Sequence, residues 1–211
     1  MLRKIALFIS VIFHPLMMPT YLFSCIVLFA PEILNPLTAE GRTYLVLLIF
    51  ITTFLLPVFL ISMILQFVNK TLPLAAFLMD DRRSRVIPFF LTACFYSGIT
   101  YLFHTYFHMN LVVVYIMASI SFIILILALI NVTWKISAHA MGLAGTVGLL
   151  MILSKHFPDT RFFYPVITLV FISGVVLSAR MFLKAHDYLQ IVAGLVIGFA
   201  ASIYCFEYLI R

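Results

Sequence analysis

The sequence predicts an all-α polytopic transmembrane helix bundle of about seven helices, and three observations carry that prediction. Of 211 residues, 65% are hydrophobic and only 9% are charged. The mean hydropathy is +1.21. The apolar residues also fall in runs long enough to cross the roughly 30 Å hydrocarbon core, which takes about 20 helical residues. A soluble domain is about 25% charged, and this chain folded in water would expose more apolar surface than its polar groups could cover. A soluble globular enzyme and a disordered tail are therefore excluded. Lys plus Arg number 13 against 7 Asp plus Glu, a net charge of +6, but the basic residues are scattered around apolar runs with no basic tract. They read as topology determinants or anion ligands, not as a nucleic-acid surface.

Seven stretches qualify as spans: Ile5 to Ala30, Thr43 to Phe67, Val86 to Phe107, Leu111 to Asn131, His139 to Leu153, Phe162 to Leu183 and Tyr188 to Ile210. Together they make one transmembrane domain, 1–211, in a multi-pass protein expected in the cell membrane. The N-terminus has basic residues ahead of an apolar run, as a signal peptide does, but the run continues through Phe29 without a small-x-small site, so it reads as a retained first span. His14, Pro15 and Pro19 lie inside that span and predict a kink or break, because proline lacks a backbone donor and clashes with the preceding turn. His14 then either lines a polar cavity or bonds a freed carbonyl. Pro31, Pro36 and Gly41 follow the first span, Met109 and Asn110 form a tight third-to-fourth connection, and Pro158 and Asp159 follow the fifth.

Val68 to Met79 is too short to cross and is expected to lie along the interface, ahead of the charged run Asp80 to Arg85. Gly142, Gly145 and Gly148, and the GxxxG pair Gly194 and Gly198, predict close helix packing. Cys25, Cys94 and Cys205 sit singly in apolar runs and have no redox or metal spacing. His104 and His108 share a helix face but lack a third ligand, and beside Tyr101, Tyr106 and Phe107 they read as part of an aromatic belt. No metal and no cofactor is predicted.

Alternating the seven spans sorts the charges. One face collects Arg3, Lys4, Lys70, Arg82, Arg83, Arg85, Lys135, Arg180 and Lys184, which is 9 of the 13 basic residues; the other has Arg42, Lys155, Arg161 and Arg211. Setting aside Arg82, Arg83, Arg85, Lys135 and Arg180 as ligands leaves 4 against 4, so the positive-inside rule assigns no orientation. On the richer face Lys135 to His139 opens the fifth helix, and Ala179 to Gln190 joins the sixth to the seventh. Ser137 and His139 lie where a helix N-terminus favours an anion. Arginine supplies a planar fork for phosphate oxygens, and two histidines beside such a site suit nucleophilic attack by one and proton donation by the other. Those are the parts of a metal-free phosphoryl-transfer site.

At these residues the chain resembles the type 2 phosphatidic acid phosphatase superfamily of integral membrane lipid phosphatases. Ser137-Ala138-His139 is similar to the family's Pro-Ser-Gly-His motif. Arg180, His186 and Gln190 reproduce the spacing of its final Arg, His and Asp, and Ala193 through Gly198 resembles its last helix. The resemblance runs from Asp80 onward and implies two N-terminal helices, 1–67, ahead of a family-like core, 68–211. It further implies His186 as the nucleophile forming a phosphohistidine and His139 as the acid to the leaving lipid oxygen. Arg180, Ser137, Lys135 and a basic residue among Arg82, Arg83 and Arg85 would bind phosphate. The sequence departs from the pattern in its first motif, where the arginines precede Pro88 without the family spacing, and at Ala138, Ala179 and Gln190.

Gln190 stands where the family's orienting acid would be. It can hold the imidazole of His186 but adds no charge, and loss of such an acid lowers rates on the order of 10⁴-fold. Asp187 is the candidate substitute for that acid, although one position after His186 it is expected on a different helix face. The function implied is hydrolysis of a lipid phosphomonoester or diphosphate. The alternative is a catalytically impaired relative that binds or translocates an anionic lipid. A magnesium-dependent prenyl or lipid transferase would draw only on Asp80 and Asp81, since Glu32, Glu40 and Asp159 fall on the other face. An ion transporter would need ionisable residues at mid-bilayer, where His14 stands nearly alone.

Overall fold

A computed structural model describes residues 1–69, 82–158 and 161–211. Among them every span is helical and no strand occurs. Seven helices or helix pairs are long and apolar enough to cross a membrane, and the protein is a multi-pass membrane protein. Lys70, Asp80, Asp81, Asp159 and most of the expected interfacial segment lie outside the described residues.

The first span is two helices, α1 (Leu2–Ile12) and α2 (Met18–Phe29), separated by a 3₁₀ turn at Pro15–Met17. The break falls where Pro15 cannot donate, and Pro19 is accommodated in the first turn of α2. Carbonyls freed by the break find side-chain donors. Tyr21 Oη donates to Ile12 O at 2.9 Å, and Nε2 of His139, far along the chain, meets Ser10 O at 3.0 Å. His14 caps the 3₁₀ turn, its Nδ1 accepting from Leu16 N at 3.3 Å.

The second span joins α3 (Ala39–Phe50) to α4 (Leu56–Asn69) through a π-helical turn at Ile51–Leu55. Pro57 explains the irregularity: without its N–H the Thr53 carbonyl is left unpaired within the helix, and the fully buried Tyr96 hydroxyl donates to it. The remaining spans are α5 (Arg82–Thr105), α6 (Leu111–Thr133), α7 (Ala138–His156), α8 (Phe163–Phe182) and α9 (Tyr188–Ile210). Asn110, Ser137 and Asp187 cap α6, α7 and α9 respectively. The fifth span, expected over His139 to Leu153, has 19 residues because Ser137 starts it earlier and it continues to His156.

Helix α7 is the centre of the bundle, buried along most of its length. Its closest partner is α9. A Cβ added at Gly198 would lie 2.5 Å from Met141 O, and one at Gly194 would lie 2.9 Å from Ser137 O, so the GxxxG pair is a backbone-to-backbone seam. At its far end Glu207 on α9 meets Lys155 Nζ at 3.0 Å and His156 Nε2 at 3.1 Å, both at the end of α7. At the near end Ser137 N donates to Gln190 O at 3.3 Å. The alternation of spans puts the first turns of α5, α7 and α9 and the last turn of α8 on one face.

Candidate active site

That face holds a cavity of about 180 Å³, lined at its mouth by His14, Arg85, His139, Arg180 and His186 and deeper by Ile123, Leu127, Gly145 and Leu149. His139 and Leu149 are ten residues apart on α7, so the cavity reaches about 15 Å into the apolar layer at 1.5 Å per residue. One end is therefore cationic and imidazole-rich, the other hydrocarbon.

His186 lies in the connection just before α9, buried at 6% exposure. Its Nδ1 is 2.9 Å from Gln190 Oε1 and its Nε2 is 3.3 Å from Arg85 Nη1. Guanidinium only donates and an amide oxygen only accepts. The ring is therefore the Nδ1–H tautomer with its lone pair on Nε2, the nitrogen that faces Arg85. Burial, followed by the nearby charges of Arg85, Arg180 and Lys135, holds the imidazole down at about 4, against the opposing effect of the Gln190 hydrogen bond. His186 is thus neutral at physiological pH, with its Nε2 electron pair directed at Arg85 Nη1, and a neutral imidazole is the form a nucleophile requires.

His139 is 8% exposed at the start of α7. Its Nε2–H donates to Ser10 O, since the carbonyl can only accept, and Nδ1 is left as its titrating nitrogen. The rings of His14 and His139 are 6.0 Å apart between centroids, edge to face. Arg180, at the last turn of α8, is close enough for its charge to act on His14, His139 and His186 alike.

Of the residues the sequence nominates, the structure brings together His186, Gln190, His139, Arg180 and Arg85. Arg85 contacts His186, and Arg82 and Arg83 open the same helix ahead of it. Lys135 is half-buried, acts on His186 through its charge, and does not line the cavity. Ser137 is fully buried, its Oγ accepts from Ala140 N at 3.3 Å, and it caps α7 outside the cavity lining.

Asp187, expected on a different helix face from His186, reaches that residue's partner instead: its Oδ2 accepts from Gln190 Nε2 at 2.9 Å. His14 is the site residue whose place the sequence left open, signalled only by the His-Pro break. His104 and His108 are exposed on the opposite face, and no cluster of three His, Cys, Asp or Glu that could hold a metal occurs among the described residues.

No model of a known protein family, no curated protein and no solved structure matches the chain. The site is accordingly judged by its chemistry. Two arginines and a nearby lysine face a neutral, buried imidazole, which suits an oxyanion of two or more charges.

Proposed function

We propose that the protein is an integral lipid phosphatase of the cell membrane that hydrolyses a phosphomonoester or diphosphate on a lipid through a phosphohistidine. The observation that carries this reading is the tautomer of His186, whose Nε2 lone pair faces Arg85 at the cationic mouth of a hydrocarbon-lined cavity. The order of the motifs shared with the type 2 phosphatidic acid phosphatase superfamily supports it.

In this mechanism the phosphoryl group displaces the 3.3 Å contact between Arg85 Nη1 and His186 Nε2 and takes its place, with Arg180 completing the cradle and the lipid chain lying along Ile123 and Leu127. Nε2 of His186 attacks phosphorus, forming the N–P bond as the P–O bond to the lipid breaks. The leaving oxygen takes a proton from Nδ1 of His139, which receives it from the substrate's phosphate monoanion as the lipid binds. Water then gives its proton back to His139 Nδ1 and its oxygen to phosphorus, and the N–P bond breaks to release inorganic phosphate and regenerate the His186 lone pair. Catalysis rests on positioning and on charge neutralisation of the phosphoryl oxygens.

The test is turnover of phosphatidate or a polyprenyl diphosphate by the full chain in detergent or nanodiscs. Release of inorganic phosphate and an acid-labile, alkali-stable phosphoprotein are expected, both abolished in His186→Ala. Unchanged turnover in that variant would remove His186 as nucleophile. The second reading, a binder or translocator of anionic lipid, is favoured by Gln190 at the relay position; it expects lipid binding with no phosphate release.

The hydrocarbon end gives a separate prediction. A Cβ at Gly145 would lie 3.0 Å from Ile123 Cδ1, so a longer side chain there fills the apolar part of the cavity. Gly145→Leu is expected to raise KM for a long-chain lipid phosphate about tenfold or more, as about 1.4 kcal/mol of chain burial is lost. Turnover of water-soluble p-nitrophenyl phosphate should persist. Parallel loss on both substrates would show that the cavity does not take the chain.

A further inference from the structure

We propose that Asp187 is a positioning residue for the nucleophile and acts through Gln190, so that the chain replaces a histidine–carboxylate pair with a histidine–amide–carboxylate series. The inference rests on the phosphohistidine reading for its effect on turnover, but its geometry stands independently.

Three hydrogen bonds define the series. His186 Nδ1 meets Gln190 Oε1 at 2.9 Å, Gln190 Nε2 donates to Asp187 Oδ2 at 2.9 Å, and Gln190 N donates to Asp187 Oδ1 at 2.9 Å. An amide has one accepting and one donating end, and nothing in its shape distinguishes them. An ionised carboxylate accepts only, so it forces the NH₂ end of Gln190 toward Asp187 and the oxygen toward His186. That oxygen in turn accepts only, so His186 must carry its proton on Nδ1, and Nε2 keeps the lone pair. Asp187 thereby favours the tautomer from two bonds away, in the same sense as Arg85 Nη1 does directly at Nε2. It also polarises the amide, leaving more negative charge on Oε1 to meet the imidazolium that forms on phosphorylation.

The same carboxylate caps α9, so a plain truncation would confound helix stability with positioning. Asp187→Asn separates them, because asparagine caps a helix about as well as aspartate. Its side-chain NH₂ would face Gln190, however, and turn the amide round. The NH₂ of Gln190 would then face Nδ1, the proton would move to Nε2, and attack would be blocked. A wrong imidazole tautomer costs up to about 10⁴-fold in a serine protease, and a loss of at least about 100-fold is expected here on the same grounds.

The decisive variant is the double Asp187→Asn/Gln190→Glu. Its glutamate accepts from both sides, from the asparagine NH₂ and from Nδ1–H, and restores the tautomer. Gln190→Glu alone sets two carboxylates against each other. The double variant is therefore expected to turn over p-nitrophenyl phosphate faster than either single variant.

Imidazole ¹⁵N spectra of the ¹⁵N-histidine-labelled full chain in detergent give a readout independent of turnover, with the His186 signals assigned by their loss in His186→Asn. The expected result is Nδ1–H in the wild type, Nε2–H in Asp187→Asn and Nδ1–H again in the double variant. An Asp187→Asn protein that keeps the Nδ1–H form, or a double variant with no gain over Asp187→Asn, would reduce Asp187 to a helix cap. If the wild type releases no phosphate while the tautomer changes as expected, the phosphatase reading fails and the relay stands.

Discussion

Replacing Arg85 with glutamine is expected to lower kcat/KM for a lipid phosphate by about 10²–10³-fold, the usual cost of removing one preorganised donor to a charged transition state. Glutamine retains a donor but loses the charge and the fork. A second consequence separates this variant from a merely misfolded one. Protonated Nε2 cannot attack, so the acid limb of the pH–rate profile follows the ionisation of His186, held at about 4 by burial and then by its cationic neighbours. Arg85 is one of those neighbours, and removing it makes the protonated ring less unfavourable. The acid limb should therefore move upward, toward the ordinary histidine value of 6.5. Measurement of kcat/KM across the acidic range decides the matter, and a limb that stays in place would mean that Arg85 does not act on the nucleophile.

Substituting Gly198 with valine is expected to have an equally large effect by a different route. The added Cβ would meet Met141 O at 2.5 Å and Met141 Cα at 2.8 Å, both backbone atoms of the central helix that cannot swing aside. Overpacking against yielding side chains costs about 1–3 kcal/mol, and here the backbone itself has to move. The loss should reach or exceed about 3 kcal/mol, seen as a lower midpoint in thermal or denaturant unfolding in detergent, with phosphate release lost alongside. A valine variant as stable as the wild type would mean that α7 and α9 do not meet along this seam.

The seven spans were legible because each needs only length and apolarity, and the expected boundaries fall within a few residues of the helices observed. The shared face of Arg85, His139, Arg180 and His186 was legible by counting crossings alone. Other parts needed coordinates. Three arginines lie within four positions of one helix, and spacing alone does not single out Arg85 as a partner of His186. Ser137 satisfies the same local pattern as a cap or as a ligand, and only the burial of its Oγ beside Ala140 N separates the two.

Asp187 stood out as a substitute for the missing acid, but its route through Gln190 was not legible, for an instructive reason. A helical wheel sets adjacent residues about 100° apart, but Asp187 precedes the helix, with an extended backbone at φ −86 and ψ 172. The wheel does not apply there, and its side chain folds back over the first turn onto Gln190. His14 needed the long-range fact that α7 begins beside the break in the first span.

The fastening of α7 to α9 at both ends, by the Ser137–Gln190 backbone bond and by Glu207 with Lys155 and His156, divides the site mechanically. His139, His186, Gln190 and Asp187 all ride on this clasped pair or at its edge, so the imidazoles keep their mutual spacing as on a single plate. Arg85 arrives on α5, from the other side of the cavity. The spacing of His186 from His139 is thus held by one helix pair, whereas that of His186 from Arg85 is set by how closely α5 leans on the plate.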